Sequence, residues 1–563
     1  MTRSAATRFY LLLWISLVTA SPVRDVGLLK ASSFAGSPTS FVFPPPGVTA
    51  TIPDPNFPDA TGVNVFGPTP TGDEAAAIET APVLAKVDTS FPLVQPNTSD
   101  HASHKFNVLH HLGNLSPMFS NEPGAFGLPN ASPLVPKECQ LKQVHLVHRH
   151  GARYPTTGTG AGPAALAEKI HSVASGPGFD AKGALNFLNE WTYRLGAEIL
   201  TPFGREQLYN LGVGFRVRYG DLLKGFDDLP VFRTTSQERM VDSALQFAAG
   251  FFGVQSYQTS YHQLVEIEKH GFNSTLSPYW SCPNAFELVG PDGNTQAAKW
   301  ADIYTKPIIR RLSKDLKGLN LTEPDVVAMQ QLCAYETVAL GYSAFCNLFT
   351  EKEWEHFEYY DALTFWYGFG PGGAATAAQG VGWLQEFVSR LTKTRITSFV
   401  FVALNLTSLA EGGPLPTDHV PDKRSWYTSQ IIPFATNLAA QVMSCSGSEE
   451  PSHIRFLLND AVVPLAGLEG CRKNKNGFCK LDDFITGIQK RIDEIDYTWD
   501  CFGNYTIPDP NTIIDGRAPR STRKAMVEPT QQVTVDEYDV QSKLGRVFGF
   551  MGAFEELMRM VLH

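Results

Sequence analysis

Strand-forming segments open and close the central part of this chain, and helical patterning fills the space between them. Gln143–His148 reads as a short strand, and Ser398–Leu404 and His453–Asn459 read as two more. Helical spacing of apolar residues is expected at Pro163–Ser172, Ala184–Leu195 and Gln237–Gly250, and again over most of 300 to 390. Pro163 suits a first helical turn, where its missing N–H costs nothing, and Ser236 is placed to cap the third helix. Strands at both ends with helices between imply one α/β sheet domain that carries a helical insertion. The run Arg149-His150-Gly151-Ala152-Arg153-Tyr154-Pro155 follows the first strand. Gly151 and Pro155 make it a loop.

The outer segments differ in character. Arg3 and Arg8, the apolar stretch Phe9–Val18 and the small residues Val18-Thr19-Ala20 form a signal-peptide pattern over 1–20. Ten apolar residues are too few to span a bilayer core, which needs about 20. Residues 21–136 are rich in Pro, Gly, Ser and Thr. Because Phe, Leu and Val recur among them, parts of this arm are expected to pack on the main body. A main domain covers 137–507. The tail 508–563 is polar as far as Leu544 and ends in the apolar stretch Phe548–Leu562, which suits a small amphipathic helix or a tail without fixed structure.

Eight cysteines, an even number with no C-x-x-C pair, favour four disulfides in an oxidising compartment over a zinc site. Sequons at Asn97, Asn114, Asn130, Asn273, Asn320, Asn405 and Asn504 agree with a secreted, extracellular glycoprotein, although Pro133 weakens the one at Asn130. A net charge of −10 gives no support to nucleic-acid binding, so any anionic substrate must meet a local basic cluster.

Arg149-His150-x-x-Arg153 has the parts for such a cluster. An imidazole attacks phosphorus only when neutral, and neighbouring guanidiniums disfavour the imidazolium. The same guanidiniums bind phosphate through bidentate forks. Gly151 is read as clearing room for a phosphate near the backbone. No metal motif is present, and the chemistry needs neither a metal nor another cofactor.

The longer run Arg149–Thr156 resembles the signature of the histidine acid phosphatases, in particular the fungal phytases and related acid phosphatases. The likeness extends through Leu200-Thr201-Pro202-Phe203-Gly204 with Gln207, Phe232-Arg233-Thr234-Thr235, Gly271–Thr275, Leu348–Trp354, Gln379–Trp383 and Leu458–Leu465. It covers about 139 to 505. The resemblance implies a doubly wound, mainly parallel α/β sheet of the phosphoglycerate mutase type with a smaller inserted α-helical domain. It implies phosphomonoester hydrolysis through a phosphohistidine at His150, with Arg149, Arg153 and Arg233 holding the phosphate. Arg239 is read instead as half of a structural ion pair. The disulfides implied are Cys139–Cys445, Cys282–Cys501, Cys333–Cys346 and Cys471–Cys479. The substrate would be a small phosphomonoester, inositol phosphates included; oligomeric state is left open. Phosphoglycerate mutase-type transfer shares the Arg-His core, but the signal peptide and disulfides argue against it.

One part of the family pattern is absent. The family carries a second His followed by Asp or Glu, which contacts the phosphate and protonates the leaving group. None of the 14 His here precedes Asp or Glu. Arg390–Thr397 runs straight into Phe399–Leu406 where a loop and the strand bearing that pair are expected. Asn459-Asp460 belongs to a later strand, and Asp418-His419 has the reverse order. Two explanations follow: an incorrectly assembled gene sequence, or a catalytically impaired paralogue that binds phosphate and turns over slowly.

Overall fold

The computed structural model describes residues 106–519, apart from 157–160, 226–227, 270–271, 394–400, 446–450, 508 and 511. The signal-peptide segment, the arm as far as 105 with Asn97, and the tail beyond 519 with Phe548–Leu562 lie outside the described residues.

Nine strands occur among them: β1 (Cys139–His148), β2 (Asp180–Ala181), β3 (Val231–Thr235), β4 (His262–Glu266), β5 (Leu316–Lys317), β6 (Asn437–Cys445), β7 (His453–Leu458), β8 (Ala461–Val463) and β9 (Cys479–Lys480). The long helices are α1 (Gly162–Ser175), α2 (Pro202–Tyr219), α3 (Glu238–Phe252), α4 (Gly290–Leu312), α5 (Glu323–Leu340), α6 (Glu351–Phe369), α7 (Thr376–Lys393) and α8 (Leu481–Glu494). The main sheet runs β1-β6-β7-β8 with β9 also on β7, and every pairing in it is antiparallel. All nine residues of β6 are buried, as a central strand requires.

The expected single, mainly parallel sheet differs from this arrangement. The one parallel pair of strands among the described residues is β3 with β4, joined through α3 as a βαβ unit. That unit stands apart from the main sheet. The expected strand Ser398–Leu404 is also corrected: its described part, from Phe401 to Leu404, is a turn. Ala184–Leu195 forms a 3-10 helix over Gly183–Asn189 and no α-helix. Gln237, rather than Ser236, stands at the N-cap of α3, because the Ser236 hydroxyl accepts from Glu268 N at 3.0 Å.

The helical layer is held by close backbone crossings and buried polar contacts. A Cβ on Gly293 of α4 would stand 2.3 Å from the Thr364 carbonyl of α6, so only glycine lets these helices approach so closely. Thr322 and Thr350 form capping boxes with Asp325 and Glu353 at the starts of α5 and α6, satisfying first-turn N–H groups in pairs.

The four cystines are those the resemblance implied. Cys139 and Cys445 are also register partners at the far end of the β1–β6 ladder. The described part of the arm packs as expected: Leu112, Leu115 and Phe126 enter the core. The buried Arg455 donates to the carbonyls of Ser132, Pro133 and Leu134. Part of the expected tail contacts the body. Gly516 donates to Pro371 O and accepts from Ala377 N, both at 2.8 Å.

Candidate active site

β1 ends at His148 and delivers Arg149, His150 and Arg153 into a fully enclosed loop; none of the three is more than 6% exposed. The loop is pinned from three sides. Arg149 N donates to Thr436 O, and His150 O accepts from Ala435 N, each at 2.8 Å. Gly151 N meets the Ser243 hydroxyl of α3 at 3.3 Å, and Ala152 N meets Gln207 Oε1 of α2 at 2.9 Å. Thr201 caps α2 through Gly204 N at 3.1 Å, and its own N–H donates to Ala152 O at 3.0 Å.

These contacts give the motif glycine a different reason from the one read in the sequence. A Cβ on Gly151 would lie 2.2 Å from the Gly204 carbonyl, and one on Gly204 would lie 1.9 Å from the Ala152 carbonyl. The glycines let the loop nest against the first turn of α2.

His150 Nδ1 lies 2.7 Å from Gly151 O, a contact that needs hydrogen on Nδ1 and leaves the lone pair on Nε2. Nε2 is buried without a hydrogen-bond partner. Burial pushes the imidazolium pKa well below its usual value, and the charges of Arg149, Arg153 and Arg239 push it the same way. Burial and the neighbouring charges both favour the neutral ring.

Arg149 donates through one terminal nitrogen to Asn114 O at 2.6 Å and Ile432 O at 2.7 Å, and stacks over Phe434 at 4.8 Å. Arg153 donates to Tyr154 O at 2.8 Å. In both, Nε and the second terminal nitrogen are buried with no partner. Burial, then the nearby Arg153, lowers Arg149 to about 9, so it stays charged at acid and neutral pH.

Arg233 is placed otherwise. It lies on β3 with its guanidinium held by Glu266, by Glu386 at 2.7 Å and by the Thr275 hydroxyl at 3.2 Å. The structure brings together Arg149, His150 and Arg153, while Arg233 is committed to these carboxylates. Arg239 forms a buried pair with Glu198 at 2.8 Å and also adds its charge to the field at His150.

Two residues beside the site were not read from the sequence. Asn114 looks there like a surface sequon, yet it is wholly buried, its carbonyl bonded to Arg149 and both side-chain polar atoms unpartnered. This corrects the glycosylation expectation at Asn114. Asp361 of α6 accepts from Asn114 N at 2.6 Å and is pushed up to about 7, chiefly by burial. No local pattern marks either one, because they meet the loop only through tertiary packing.

Residues 140–459 match the model of the histidine phosphatase superfamily (branch 2), and the chain belongs to that family, the class of the histidine acid phosphatases. Its relatives carry a more particular name. Phytase A of Aspergillus oryzae is 31% identical over 452 residues, covering 71% of this chain and 93% of that protein. Phytase A of Aspergillus terreus is 32% identical over 445 residues, covering 70% and 91%. The crystal structure of the phytase from D. castellii superposes with a TM-score of 0.61 at 24% identity, over 74% of this chain and 93% of that one, a likeness of fold. No helix among the described residues is long and apolar enough to cross a membrane.

Proposed function

We propose that this chain is a secreted phosphomonoesterase of phytase or acid phosphatase type whose nucleophile is His150, with a phosphohistidine intermediate. The observation that carries this reading is the buried lone pair of Nε2, free of partners and flanked by the unpartnered nitrogens of Arg149 and Arg153. Those nitrogens match the equatorial oxygens of a phosphoryl group, whose charge they would neutralise in the transition state. Nε2 forms the N–P bond as the ester P–O bond breaks; water then cleaves the N–P bond, releasing inorganic phosphate and the neutral imidazole. The signal-peptide pattern and four cystines support export. Inositol phosphates are proposed as substrates on the strength of the relatives' name.

The departing oxygen needs a proton, and no His-Asp or His-Glu pair exists to give it. That absence supports a second reading, an impaired phosphate-binding paralogue. It also sets a leaving-group rule. Aryl phosphates, whose alcohols depart as stable anions, should be cleaved far better than alkyl phosphates, by the roughly 10²–10⁴-fold that general-acid help is worth.

The test is phosphate release from p-nitrophenyl phosphate at pH 5, wild type beside His150→Ala. Activity confined to the wild type is expected; equal rates would sink the nucleophile. Sequencing the transcript across codons 390 to 400 decides whether the proton-donating segment is encoded.

A further inference from the structure

Arg149 is aimed from outside its own loop. One terminal nitrogen is taken up by two backbone carbonyls, Asn114 O at 2.6 Å and Ile432 O at 2.7 Å. Those bonds, with the Phe434 ring beneath, set the plane of the guanidinium and so the direction of its unpartnered Nε and second terminal nitrogen. The two carbonyls come from segments far apart in the chain, yet both segments are fastened to one turn of α6. Asp361 accepts from Asn114 N at 2.6 Å. Gly113 before it has a φ of +60°, and a Cβ there would lie 2.2 Å from Asp361 Oδ2, so this turn of the arm sits directly on the carboxyl. Three residues earlier on α6, Glu358 accepts from Thr428 N at 3.1 Å and pairs with Arg424. Thr428 opens a short helix, Thr428–Ile431, and Ile432 is its C-cap. The Thr428 hydroxyl joins the two arms, lying 3.4 Å from Glu358 Oε1 and also bonding Asp361. Both acids are buried, which opposes folding, so their place is explained by what they hold rather than by packing.

We propose that Asp361 and Glu358 are positioning residues that form a bracket for phosphate recognition: from one turn of α6 they hold the two carbonyls that aim the Arg149 guanidinium at the phosphoryl oxygens. Neither acid is assigned a contact with the phosphate. Each acts through a carbonyl on Arg149, so a shift of either segment turns the fork and misdirects its remaining donors. A fork tolerates little turning, because hydrogen bonds weaken steeply away from linearity. Asp361 governs the Asn114 arm by itself, whereas Glu358 shares the Thr428 arm with the Thr428 hydroxyl and Asp361. Burial pushes Asp361 up to about 7, so at pH 5 it is a neutral acid, whose shape and acceptor oxygen an amide reproduces. The inference rests on the phosphatase reading in placing a phosphoryl group at Arg149, but the bracket is tested by binding alone.

The test is calorimetric binding of inorganic phosphate to the purified full chain at pH 5, with KM for p-nitrophenyl phosphate measured beside it. Asp361→Ala removes the acceptor for Asn114 N and should weaken phosphate binding about 10-fold, with KM rising in proportion. Asp361→Asn keeps an acceptor oxygen and should recover most of that loss. Thr428→Val loosens the other arm and should weaken phosphate several-fold; it carries the test if Asp361→Ala does not fold. Thr350→Ala breaks the capping box of the same helix away from the bracket. It should lower the thermal midpoint and leave the phosphate dissociation constant within about two-fold of wild type. Unchanged affinity in Asp361→Ala, or in Thr428→Val where the former does not fold, overturns the bracket. Equal losses in Asp361→Asn and Asp361→Ala, or a loss in Thr350→Ala as large as theirs, also overturn it, since either marks a merely structural role. A wild type that binds no phosphate overturns it too, and its rate with p-nitrophenyl phosphate then decides the phosphatase reading separately. Affinity lost as expected, with no ester cleaved by the wild type, upholds the bracket and counts against the phosphatase reading.

Discussion

At the residue scale, the site depends on groups held in the less usual of their two protonation states. Burial and the surrounding guanidiniums favour the neutral form of His150, and burial pushes Asp361 up to about 7. The sign for Asp361 follows from its folded value lying above its unfolded one. Its contribution is fully present below about pH 4, is lost as pH rises toward 7, and is constant beyond. Asp361→Asn removes this titration. Relative to wild type, the variant should gain stability between pH 4 and pH 8 by a few kcal/mol, since a shift of about three pKa units is worth roughly 4. Denaturant melts at the two pH values check this; a constant offset between the two proteins would exclude Asp361 as the group. His150 and its two arginines were legible in the sequence because strand, loop and charge pattern fall within thirteen residues, 143–155. Asn114 and Asp361 were not, since they lie 35 residues before and 212 after Arg149. Arg233 was legible as chemistry, but its partners Glu266 and Glu386 come from elements that no local pattern links to it.

At the element scale, the turn from β1 into the loop is rigid because it is wedged against the first turn of α2. At Gly204 the contact is backbone on backbone and leaves no flexible side chain to yield. Gly204→Ala, with its Cβ 1.9 Å from the Ala152 carbonyl, must push the loop from its seat. A loss of roughly 3 kcal/mol is expected, near the upper end for overpacking, together with a fall in activity toward p-nitrophenyl phosphate larger than lost folding explains. Matched thermal melts and rates at a temperature where both proteins are folded separate the two effects. Helix positions were mostly readable from apolar spacing; α1 and α3 begin within a residue of their expected starts. Pairing direction was not, because a strand's sequence tells its faces and not its neighbours. The main sheet's antiparallel ladder emerges only when β6 lies between β1 and β7.

At the scale of the whole molecule, four cystines and a packed arm tie together segments far apart in the chain. Cys282–Cys501 fastens the entry to the helical layer against the segment that follows α8, across 219 residues. Replacing both cysteines by serine should cost about 2–5 kcal/mol, as for other native disulfides, with the loss read by denaturant unfolding and absent when wild type and variant are compared under full reduction. The Cys139–Cys445 link has a consequence in time as well as in space. It joins residues 306 apart, and one of them begins the strand that leads into the His150 loop. A ribosome adding about 5–20 residues per second delivers the second cysteine roughly 15–60 s after the first. During that interval Cys139 is a free thiol, and Cys282, Cys333 and Cys346 emerge before its proper partner. The strand that leads to His150 is thus secured late in synthesis, so a cell making this protein must keep an early cysteine from settling on the wrong neighbour.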